Sequence, residues 1–466
     1  MQDQQVDDDG TVQQPTTGVC TGGHFQCRSQ VRTDEHNRIK PFATPSGLGP
    51  NDLASAYKLN ATKTSTATIA IVDAFNYPNA ASDLASYRSQ FGLPACTVAS
   101  GCLTIDNAQG AGNAPAGDDW TVEAALDLDL ASAACPTCKL LLVEAKDDQG
   151  TGLFTAQHQA AAHAGVVAIS NSWGGPSDGM DLSEDSTYFT IAGVNIFVAS
   201  GDGGNTGSTA DYPSTSAHVV SVGGTHLAKA TGTTRGWTET AWAGSGSSCS
   251  SVIPKPPYQT PAVPPAACTK RATVDVSAVA DPNTGLAVFN AANGGWIVVG
   301  GTSAASPFVA GVFARYGLPK TNDASYPYGH TSEFFDITSG SNGSCNSALC
   351  KVGVGWDGPT GIGSPNGANL GGVTTCAPNC SGKTCGSDGC GGICGVCAAG
   401  QTCSATGTCT GGTTCAHPIC STGTKLVATC DPCTGEICSA DSFCCASSWD
   451  SICVGEVGSV CGQSCP

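Results

Sequence analysis

The sequence predicts a three-layer α/β domain with a mostly parallel central sheet, followed by small disulfide-rich modules. Apolar strand-like runs alternate with alanine-rich helical segments through most of the chain, which is typical of a parallel sheet covered by helices. Beyond Gly372 the composition changes abruptly, since 18 of the 28 cysteines lie from Cys376 onward. The strand-like runs are TIAIVDA from 68, KLLLVEA from 139, VVAISNSW from 166, NIFVASG from 195 and HVVSVGG from 218.

The composition divides the chain into four regions. The two cysteine-rich modules contain too few large apolar residues to build cores, so we expect disulfides to hold them together. Attachment to a surface or substrate and a protective role both suit them. The start, MQDQQVDDDG, lacks the basic and apolar parts of a signal peptide, so either it is truncated or the chain matures by another route. The regions are a polar N-terminal tail over 1–44, the α/β domain over 45–372, and cysteine-rich modules over 376–409 and 415–466.

The segment DDWTVEAALDLDLASAA from Asp118 predicts a helix that carries two carboxyl groups. Glu123 and Asp127 are four residues apart, so both project from one helix face. Two close carboxyls in a dry environment do not both ionise easily, so one keeps its proton and the pair can act as acid and base at low pH. A solvated acidic face is the alternative, and the leucines of the segment argue against it.

An aspartate follows the apolar strand-like run NIFVASG. Asp202 stands between two glycines at the end of this run, and loops at strand ends are positions from which side chains reach a cleft. Asp-Gly is also a common turn. Asp202 therefore becomes a candidate site residue only if the other segments lie beside it.

The segment GGTSAASPFVAG, residues 300–311, predicts a nucleophile. A strand-like run leads into Gly-Thr-Ser and then into an alanine-rich helix. A serine at the N-terminal end of a helix is held clear of its own backbone, and Gly300 and Gly301 leave room for another chain to approach. Ser303 is therefore the candidate. The alternative is an ordinary helix N-cap, since Thr302 and Ser303 are good cap residues.

Together these segments resemble the sedolisins, the serine-carboxyl peptidases, which have a subtilisin-like fold and use glutamate and aspartate where subtilisins use histidine and aspartate. The resemblance spans about residues 45–372 and implies a subtilisin-like three-layer domain. It also implies that SNSWGG holds an extended peptide substrate by main-chain hydrogen bonds. The motifs that carry it, in order, are GLGPNDLASAYKL, TIAIVDAFNYP, VEAALD, SNSWGG, VASGDGG, YPSTSAHVVSVGGTHL, GGTSAASP, and FFDITSG with GVGWDGPTGIGSP.

The resemblance implies four catalytic roles. Ser303 is the nucleophile and Glu123 is its general base. Asp127 orients and charges Glu123, and Asp202 donates a hydrogen bond to the oxyanion. Because a carboxyl donates a hydrogen bond only while it is protonated, activity is expected below about pH 6.

A subtilisin-type triad is the competing assignment. Asp73, at the end of TIAIVDA, lies where subtilisins carry their aspartate, but a triad also needs a histidine. None of the eight histidines stands in an HGT-like helix start. His158 and His163 lie on an alanine-rich helix, where a surface or core position is the simpler interpretation. Asp73 is therefore interpreted as a structural residue or a support for the site.

A calcium site is expected in the closing segment of the domain. Two aspartate carboxylates with backbone carbonyls from two loops would make a six-fold site of hard oxygen ligands. Sedolisins place their calcium here, and the matching positions are the carboxylates of Asp336 and Asp357 and the carbonyls of Ile337, Gly353 and Gly355. Two ordinary Gly/Asp turns are the alternative.

The cysteine pattern favours an oxidising compartment. CTGGHFQC is expected to form a clipped, partly ordered part of the N-terminal tail. Cys135 and Cys138 form a CPTC for which a structural role is favoured over a redox or metal site, because no second pair at zinc spacing lies in that region. The expected local disulfides join Cys96 to Cys102, Cys249 to Cys268, and Cys345 to Cys350.

The charge balance argues against nucleic acid as a partner, and the hydropathy pattern argues against a membrane span. Only 19 lysines and arginines stand against 37 acidic residues, which gives a formal net charge of −18 and argues against nucleic acid. No apolar run of 18 or more residues is present, so no membrane span is expected.

The sequence thus predicts a secreted, calcium-stabilised and monomeric serine-carboxyl peptidase that hydrolyses peptides or proteins at acidic pH. Endopeptidase and tripeptidyl-peptidase action stay open, because the choice depends on loops at one end of the cleft. The rival class is a catalytically idle protein that binds a surface or polymer through its cysteine-rich tail. The presence of all four catalytic positions argues against it, since an idle copy has no physical need for a buried acid pair.

Overall fold

The computed structural model of the chain has two compact units, Met1–Gly372 and Val373–Pro466, here the first and second unit. Its longest described helices have 15 residues. No described helix has the length and apolar character needed to cross a membrane. The structure describes residues 13–176, 181–205, 210–371, 380–385, 394, 402–404, 407–410, 415–428, 430–461 and 465.

Helices and strands alternate along the first unit as the apolar runs predict. The helices are α1 (Pro50–Ala56), α2 (Ala80–Gln90), α3 (Trp120–Ala134), α4 (Gly150–Ala162), α5 (Asp181–Glu184), α6 (Thr302–Tyr316) and α7 (Ser325–Gly329). The strands are β1 (Thr16–Gly18), β2 (Gln26–Cys27), β3 (Gln30–Arg32), β4 (Thr68–Ala74), β5 (Leu103–Asp106), β6 (Lys139–Ala145), β7 (Val166–Asn171), β8 (Trp173–Pro176), β9 (Asn195–Ala199), β10 (Asp211–Tyr212), β11 (Val220–Lys229), β12 (Trp237–Ala241), β13 (Ser248–Pro254), β14 (Lys270–Thr273), β15 (Val276–Val279), β16 (Leu286–Asn290), β17 (Gly295–Gly300), β18 (Phe334–Phe335) and β19 (Ser364–Pro365).

The main sheet has eight strands in the order β12-β11-β9-β7-β4-β6-β5, with β15 also paired to β11. All neighbouring pairs are parallel except β11 with β12. Nearly every residue of β4 and β6 is buried, so both faces of the sheet are covered. Helix α3 packs on α6, and α4 packs on β4, β6 and β7. The prediction of a mostly parallel α/β domain is confirmed.

The described part of the N-terminal segment is not a separate tail. Strands β1 and β3 extend β17 and β16 into a four-stranded sheet, and β2 pairs with β8. The segment is polar, yet its apolar side chains Val19, Phe25 and Val31 are buried against the first unit. The expectation of a tail over 1–44 is therefore wrong for its described residues, because three buried side chains and strand pairing suffice to anchor it.

The expected local disulfides of the first unit are confirmed. Cys135 and Cys138 are also joined to each other and are buried, as a structural role requires. Cys20 and Cys27 close the loop that precedes β3. The first-unit pairs are Cys20–Cys27, Cys96–Cys102, Cys135–Cys138, Cys249–Cys268 and Cys345–Cys350.

The second unit builds a small core despite its composition. Leu426, Ile437, Trp449 and Val457 are buried together among half-cystines, so the expectation that its modules lack cores is wrong for the later one. Much of the earlier module lies outside the described residues. The elements are β20 (Thr402–Cys403), β21 (Cys409–Thr410), β22 (Gly423–Thr424), α8 (Pro432–Ala440), α9 (Phe443–Ala446), β23 (Ser448–Trp449) and α10 (Ser451–Ser459). The described disulfides are Cys380–Cys394, Cys415–Cys430, Cys420–Cys465, Cys433–Cys461, Cys438–Cys445 and Cys444–Cys453.

Candidate active site

Helix α3 carries Glu123 and Asp127 into the interior of the first unit. Every residue of this helix except Thr121 is buried, because α3 packs against the sheet, α1, α2 and α6. Both carboxyl groups are fully buried. The structure therefore has a buried acid pair at this position rather than a solvated acidic face.

Asp73, at the end of β4, is a third carboxyl in this cluster. Burial is the largest cause of the raised pKa of Glu123 and of Asp127, and the charge of Asp73 is the second cause for both. Burial and the charge of Glu144 raise the pKa of Asp73 itself to about 8. The carboxyl oxygens of Asp73 have no hydrogen-bond partner among the described residues, and a contact with the hydroxyl of Ser172 lowers the pKa of Asp127 only in part. The three acids therefore share protons at pH values where ordinary carboxyls are ionised.

Ser303 is the second residue of α6, at the end of β17. Gly301, two residues before Ser303, has φ 102°, and a side chain there would collide with the backbone of Arg28. The hydroxyl of Ser303 donates to the carbonyl oxygen of Ser172 at 3.1 Å and accepts from the N–H of Arg28 at 2.9 Å. The glycine thus permits the close backbone approach that the sequence indicated.

Asp202 lies on the loop after β9 and faces the start of α6. Its Oδ1 accepts hydrogen bonds from the N–H of Thr302 at 2.8 Å and from its hydroxyl at 2.9 Å. Its Oδ2 is buried and has no hydrogen-bond partner among the described residues. Burial raises the pKa of Asp202 to about 7. At acidic pH the carboxyl therefore carries a proton, and Oδ2 is the oxygen free to donate it.

Two residues of the N-terminal segment lie against the site. The hydroxyl of Ser29 donates to Oε2 of Glu123, and Arg28 contacts Ser303 as described above. Hydrogen bonds from the hydroxyls of Ser29 and Ser303 lower the pKa of Glu123 in part, but burial and Asp73 outweigh them. The sequence interpretation missed Ser29 and Arg28, because a short polar segment gives no signal of which distant residues it contacts.

The histidines do not form a subtilisin-type triad. Within the described residues, the hydroxyl of Ser303 has hydrogen bonds to the backbone of Arg28 and of Ser172 and none to a histidine. His163 is hydrogen-bonded to Asp106 at 2.6 Å, and His158 is exposed. Asp73 acts on the site through its charge, which raises the pKa of both carboxyls of the acid pair on α3.

The residues predicted to bind calcium lie on two neighbouring loops. The N–H of Gly355 donates to Oδ2 of Asp336 at 3.0 Å, and the N–H of Gly353 donates to Oδ2 of Asp357 at 3.1 Å. Burial, and to a smaller extent the charge of Asp336, raises the pKa of Asp357 to about 7. Two neighbouring carboxyl groups, one with a pKa raised by burial and by the charge of the other, fit a hard divalent cation that would neutralise them.

The fold is that of a subtilisin-like α/β serine peptidase, and buried carboxyl groups with raised pKa values lie beside its candidate serine. A model of the subtilase family matches residues 105–318. Kumamolisin of Bacillus sp. (strain MN-32) is 32% identical over 384 residues, which is 74% of this chain and 67% of kumamolisin. This chain belongs to the sedolisin family, the serine-carboxyl peptidases.

Further comparisons agree with that family. Sedolisin of Pseudomonas sp. (strain 101) is 28% identical and is covered to 64% of its length, so the chain spans about two thirds of these relatives. The solved Pseudomonas sedolisin, complexed with two molecules of pseudo-iodotyrostatin, superposes with a TM-score of 0.60 at 26% identity, over 71% of this chain and 98% of sedolisin. Residues 413–465 match a domain of unknown function, DUF8252.

Proposed function

We propose that the protein is a secreted serine-carboxyl peptidase that hydrolyses peptide bonds of peptides or proteins at acidic pH. Ser303 is the nucleophile, Glu123 is its general base, Asp127 orients and charges Glu123, and Asp202 donates to the oxyanion. The observation that carries the proposal is the cluster of buried carboxyls with raised pKa values beside the buried serine.

The chemistry follows from which carboxyl groups of the site hold protons. Of the three acids, Glu123 must be the ionised one while Asp73 and Asp127 hold protons, as coupled carboxyls allow. Glu123 then accepts the proton of Ser303 as the serine oxygen attacks the carbonyl carbon, and it returns that proton to the leaving amine. Asp73 and Asp127 share protons with Glu123, so the cluster can take up and release one without exposing it to water. Asp202 stabilises the oxyanion only while protonated. Activity therefore declines as the pH rises through about 7, the pKa of Asp202.

Calcium is proposed as a stabilising ion of the first unit. The carboxylates of Asp336 and Asp357 and the carbonyls of Ile337, Gly353 and Gly355 would hold it. The ion would neutralise two neighbouring carboxylates and tie two loops together. It takes no part in the cleavage chemistry.

Secretion is supported by the disulfides, because none of the described cysteines is free and such pairing persists in oxidising compartments. The enzyme is proposed to act as a monomer. The cysteine-rich second unit is proposed to attach it to a surface or polymer.

Cleavage of a denatured protein from pH 3 to 8 tests this function, with acid-incubated, disulfide-bonded and calcium-loaded protein. We expect activity confined to acid pH and lost in Ser303→Ala and Glu123→Ala. Ser306→Ala is the matched control, since Ser306 lies one turn along α6 and hydrogen-bonds to Ser170 instead. Product lengths separate endopeptidase from tripeptidyl-peptidase action.

Two results would contradict the proposal. A neutral optimum that survives Glu123→Ala would indicate a triad of Asp73 and a histidine. A complete lack of activity in the wild-type protein would favour the idle, surface-binding alternative.

A further inference from the structure

Residues 26–29 lie in the cleft as an extended peptide. Strand β2 pairs with β8 in antiparallel register, and the N–H of Arg28 continues this pairing by donating to the carbonyl of Ser172 at 3.0 Å. Ser172 and β8 belong to the SNSWGG motif, for which the sequence predicts binding of a substrate backbone. The segment therefore makes the main-chain hydrogen bonds that a bound peptide would make.

The carbonyl oxygen of Arg28 occupies the position of an oxyanion. It accepts a hydrogen bond from the N–H of Ser303 at 2.9 Å. A side chain at Gly301 would collide with this oxygen and would lie 2.6 Å from Oδ2 of Asp202, so both oxygens border the same small space. The two donors that would stabilise a charged oxygen therefore flank this carbonyl.

Ser29 lies on the other side of the same peptide bond, beside the proposed general base. Its hydroxyl donates to Oε2 of Glu123. The residue after a cleaved bond supplies the leaving amine, which must receive a proton from Glu123. The Arg28–Ser29 bond thus lies between the nucleophile and the proton donor, in the order that cleavage requires.

The side chain of Arg28 enters an acidic pocket. The pocket has a volume of about 210 Å³, and its lining includes Gly201 and Asp202. The guanidinium forms an ion pair with Asp211 at 2.7 Å, with the side chains only 16% and 25% exposed. A Cβ at Gly201 would lie 2.9 Å from the carboxylate of Asp211, so the glycine leaves room for that carboxylate. Such a partly buried acid favours a basic side chain over a neutral one.

We propose that this enzyme hydrolyses the Arg28–Ser29 bond of its own chain, and that Asp211 selects a basic residue immediately before the cleaved bond. The inference rests on the proposed peptidase function and names its substrate class. While residues 26–29 occupy the cleft, Ser303 and Glu123 are fully buried. The uncut chain therefore does not hydrolyse other substrates.

No described disulfide joins the two sides of the bond, although β1 before it pairs with β3 after it. The Cys20–Cys27 disulfide lies wholly before it, and β3 pairs with β17 after it. Cleavage therefore leaves Ser29 as a new N terminus that stays in the sheet. The described residues up to Arg28 then have no covalent link to the rest of the first unit, and they leave the cleft when the pairings of β1 with β3 and of β2 with β8 separate.

The reaction balances with one water molecule. The oxygen of Ser303 bonds to the carbonyl carbon of Arg28 while its proton passes to Glu123. The C–N bond breaks, and Glu123 gives the proton to the amine of Ser29. Water then hydrolyses the ester, which restores the hydroxyl of Ser303 and leaves a carboxyl group on Arg28.

Intact mass and N-terminal sequencing of the full chain, incubated at pH 4, test the bond. We expect a new N terminus at Ser29 in the wild type, with casein hydrolysis appearing after a lag as this terminus accumulates. Ser303→Ala stays uncut. Arg28→Glu is cut on the order of 10²-fold more slowly, because the ion pair with Asp211 is lost, whereas Arg28→Lys is cut. Arg38→Gln is the matched control, since Arg38 belongs to the same segment, is exposed, and pairs with Asp34.

Two peptides that differ only in Arg or Gln before the cleaved bond test the pocket with the processed enzyme. The wild type is expected to prefer the Arg peptide in kcat/KM by on the order of 10²-fold. Asp211→Asn brings this ratio towards 1, and Asp211→Glu restores the preference. A ratio unchanged in Asp211→Asn would overturn the role of this residue.

The outcomes separate this inference from the proposed function. Casein hydrolysis by a chain that is uncut, or cut at another bond, with no preference for Arg, would overturn the inference and leave the peptidase function standing. A chain that neither processes itself nor hydrolyses casein would overturn both.

Discussion

Two of the groups of buried titratable side chains in the first unit differ in whether each acid is matched by a cation. Asp275 accepts hydrogen bonds from both terminal nitrogens of Arg271, at 2.8 and 2.5 Å. In the other group, Glu123, Asp127 and Asp73 lie together, and the charges that act on them among the described residues are those of other acids. Several of their oxygens lack any hydrogen-bond partner.

The difference separates a structural pair from a chemical site. A buried ion pair with satisfied hydrogen bonds is weak evidence for function, since its role is to match one charge with another. Unmatched buried carboxyls lower stability and hold protons at unusual pH values, which is the state that acid–base catalysis requires. The first group should therefore govern stability and the second should govern activity.

Substitution in the acid cluster should have the largest effect, and on activity alone. Glu123→Gln is expected to lower kcat/KM on the order of 10⁶-fold, as loss of an essential member of such a catalytic unit does. The free energy of unfolding should stay equal or rise, because a buried carboxyl is removed. Peptide hydrolysis at pH 4 and urea unfolding measure the two effects. A Glu123→Gln variant that is destabilised but active would show that the acid cluster governs stability and not activity.

Breaking the Arg271–Asp275 pair should lower stability and leave activity unchanged. Asp275→Asn leaves the charge of Arg271 buried and uncompensated, which is expected to cost about 3–5 kcal/mol of unfolding free energy. The kcat of the molecules that remain folded should be that of the wild type. Urea titration with activity normalised to the folded fraction checks this. A loss of kcat in the folded molecules would place the pair in the catalytic machinery.

Asp202 is an intermediate case, because one oxygen of its carboxyl accepts hydrogen bonds and the other has no partner among the described residues. Asp202→Ala is expected to lower kcat about 10²–10³-fold through loss of the oxyanion donor. Asp202→Asn keeps an N–H donor at every pH, so its activity should extend above the pH near 7 at which the wild type declines. Rate profiles from pH 3 to 9 distinguish the two. Identical alkaline limbs for Asp202→Asn and wild type would show that Asp202 does not set the limit.

The unmatched carboxyls should also make stability depend on pH. Their pKa values are raised in the folded state, to about 8 for Asp73 and about 7 for Asp202. Between about pH 4 and pH 8 the unfolded chain therefore binds fewer protons, so the unfolding free energy falls as the pH rises. The slope is roughly 1.4 kcal/mol per pH unit for each retained proton. Asp73→Asn should flatten it, and a slope of the opposite sign would refute the raised values.

The proposed calcium ligands should give the smallest effect. If a divalent cation matches Asp336 and Asp357 as Arg271 matches Asp275, chelation should lower the melting temperature, by the equivalent of about 2.7 kcal/mol for a site loaded at 100 times its Kd. The double variant Asp336→Asn, Asp357→Asn should not respond to calcium. An equal response in both proteins would remove the site from these loops.

The site divides into parts that local sequence could predict and parts that it could not. The spacing of Glu123 and Asp127 fixes their common helix face, and the apolar character of α3 indicates its burial. The closeness of Asp73 to them follows only from strand order, since β4 lies centrally in the sheet. The position of the polar segment around Arg28 depends on pairing with β8 and β17, more than a hundred residues away, which no local pattern specifies.

Proton release on unfolding tests the central claim most directly. In weakly buffered solution at pH 6, the wild-type protein unfolded by urea should release protons, because buried carboxyls that were protonated become ordinary ones. The double variant Asp73→Asn, Glu123→Gln should release fewer. Replacement of Arg271 and Asp275 by apolar residues should leave the release unchanged. Equal release from the wild type and the cluster variant would contradict the account, since the carboxyls beside Ser303 would then be ionised at that pH.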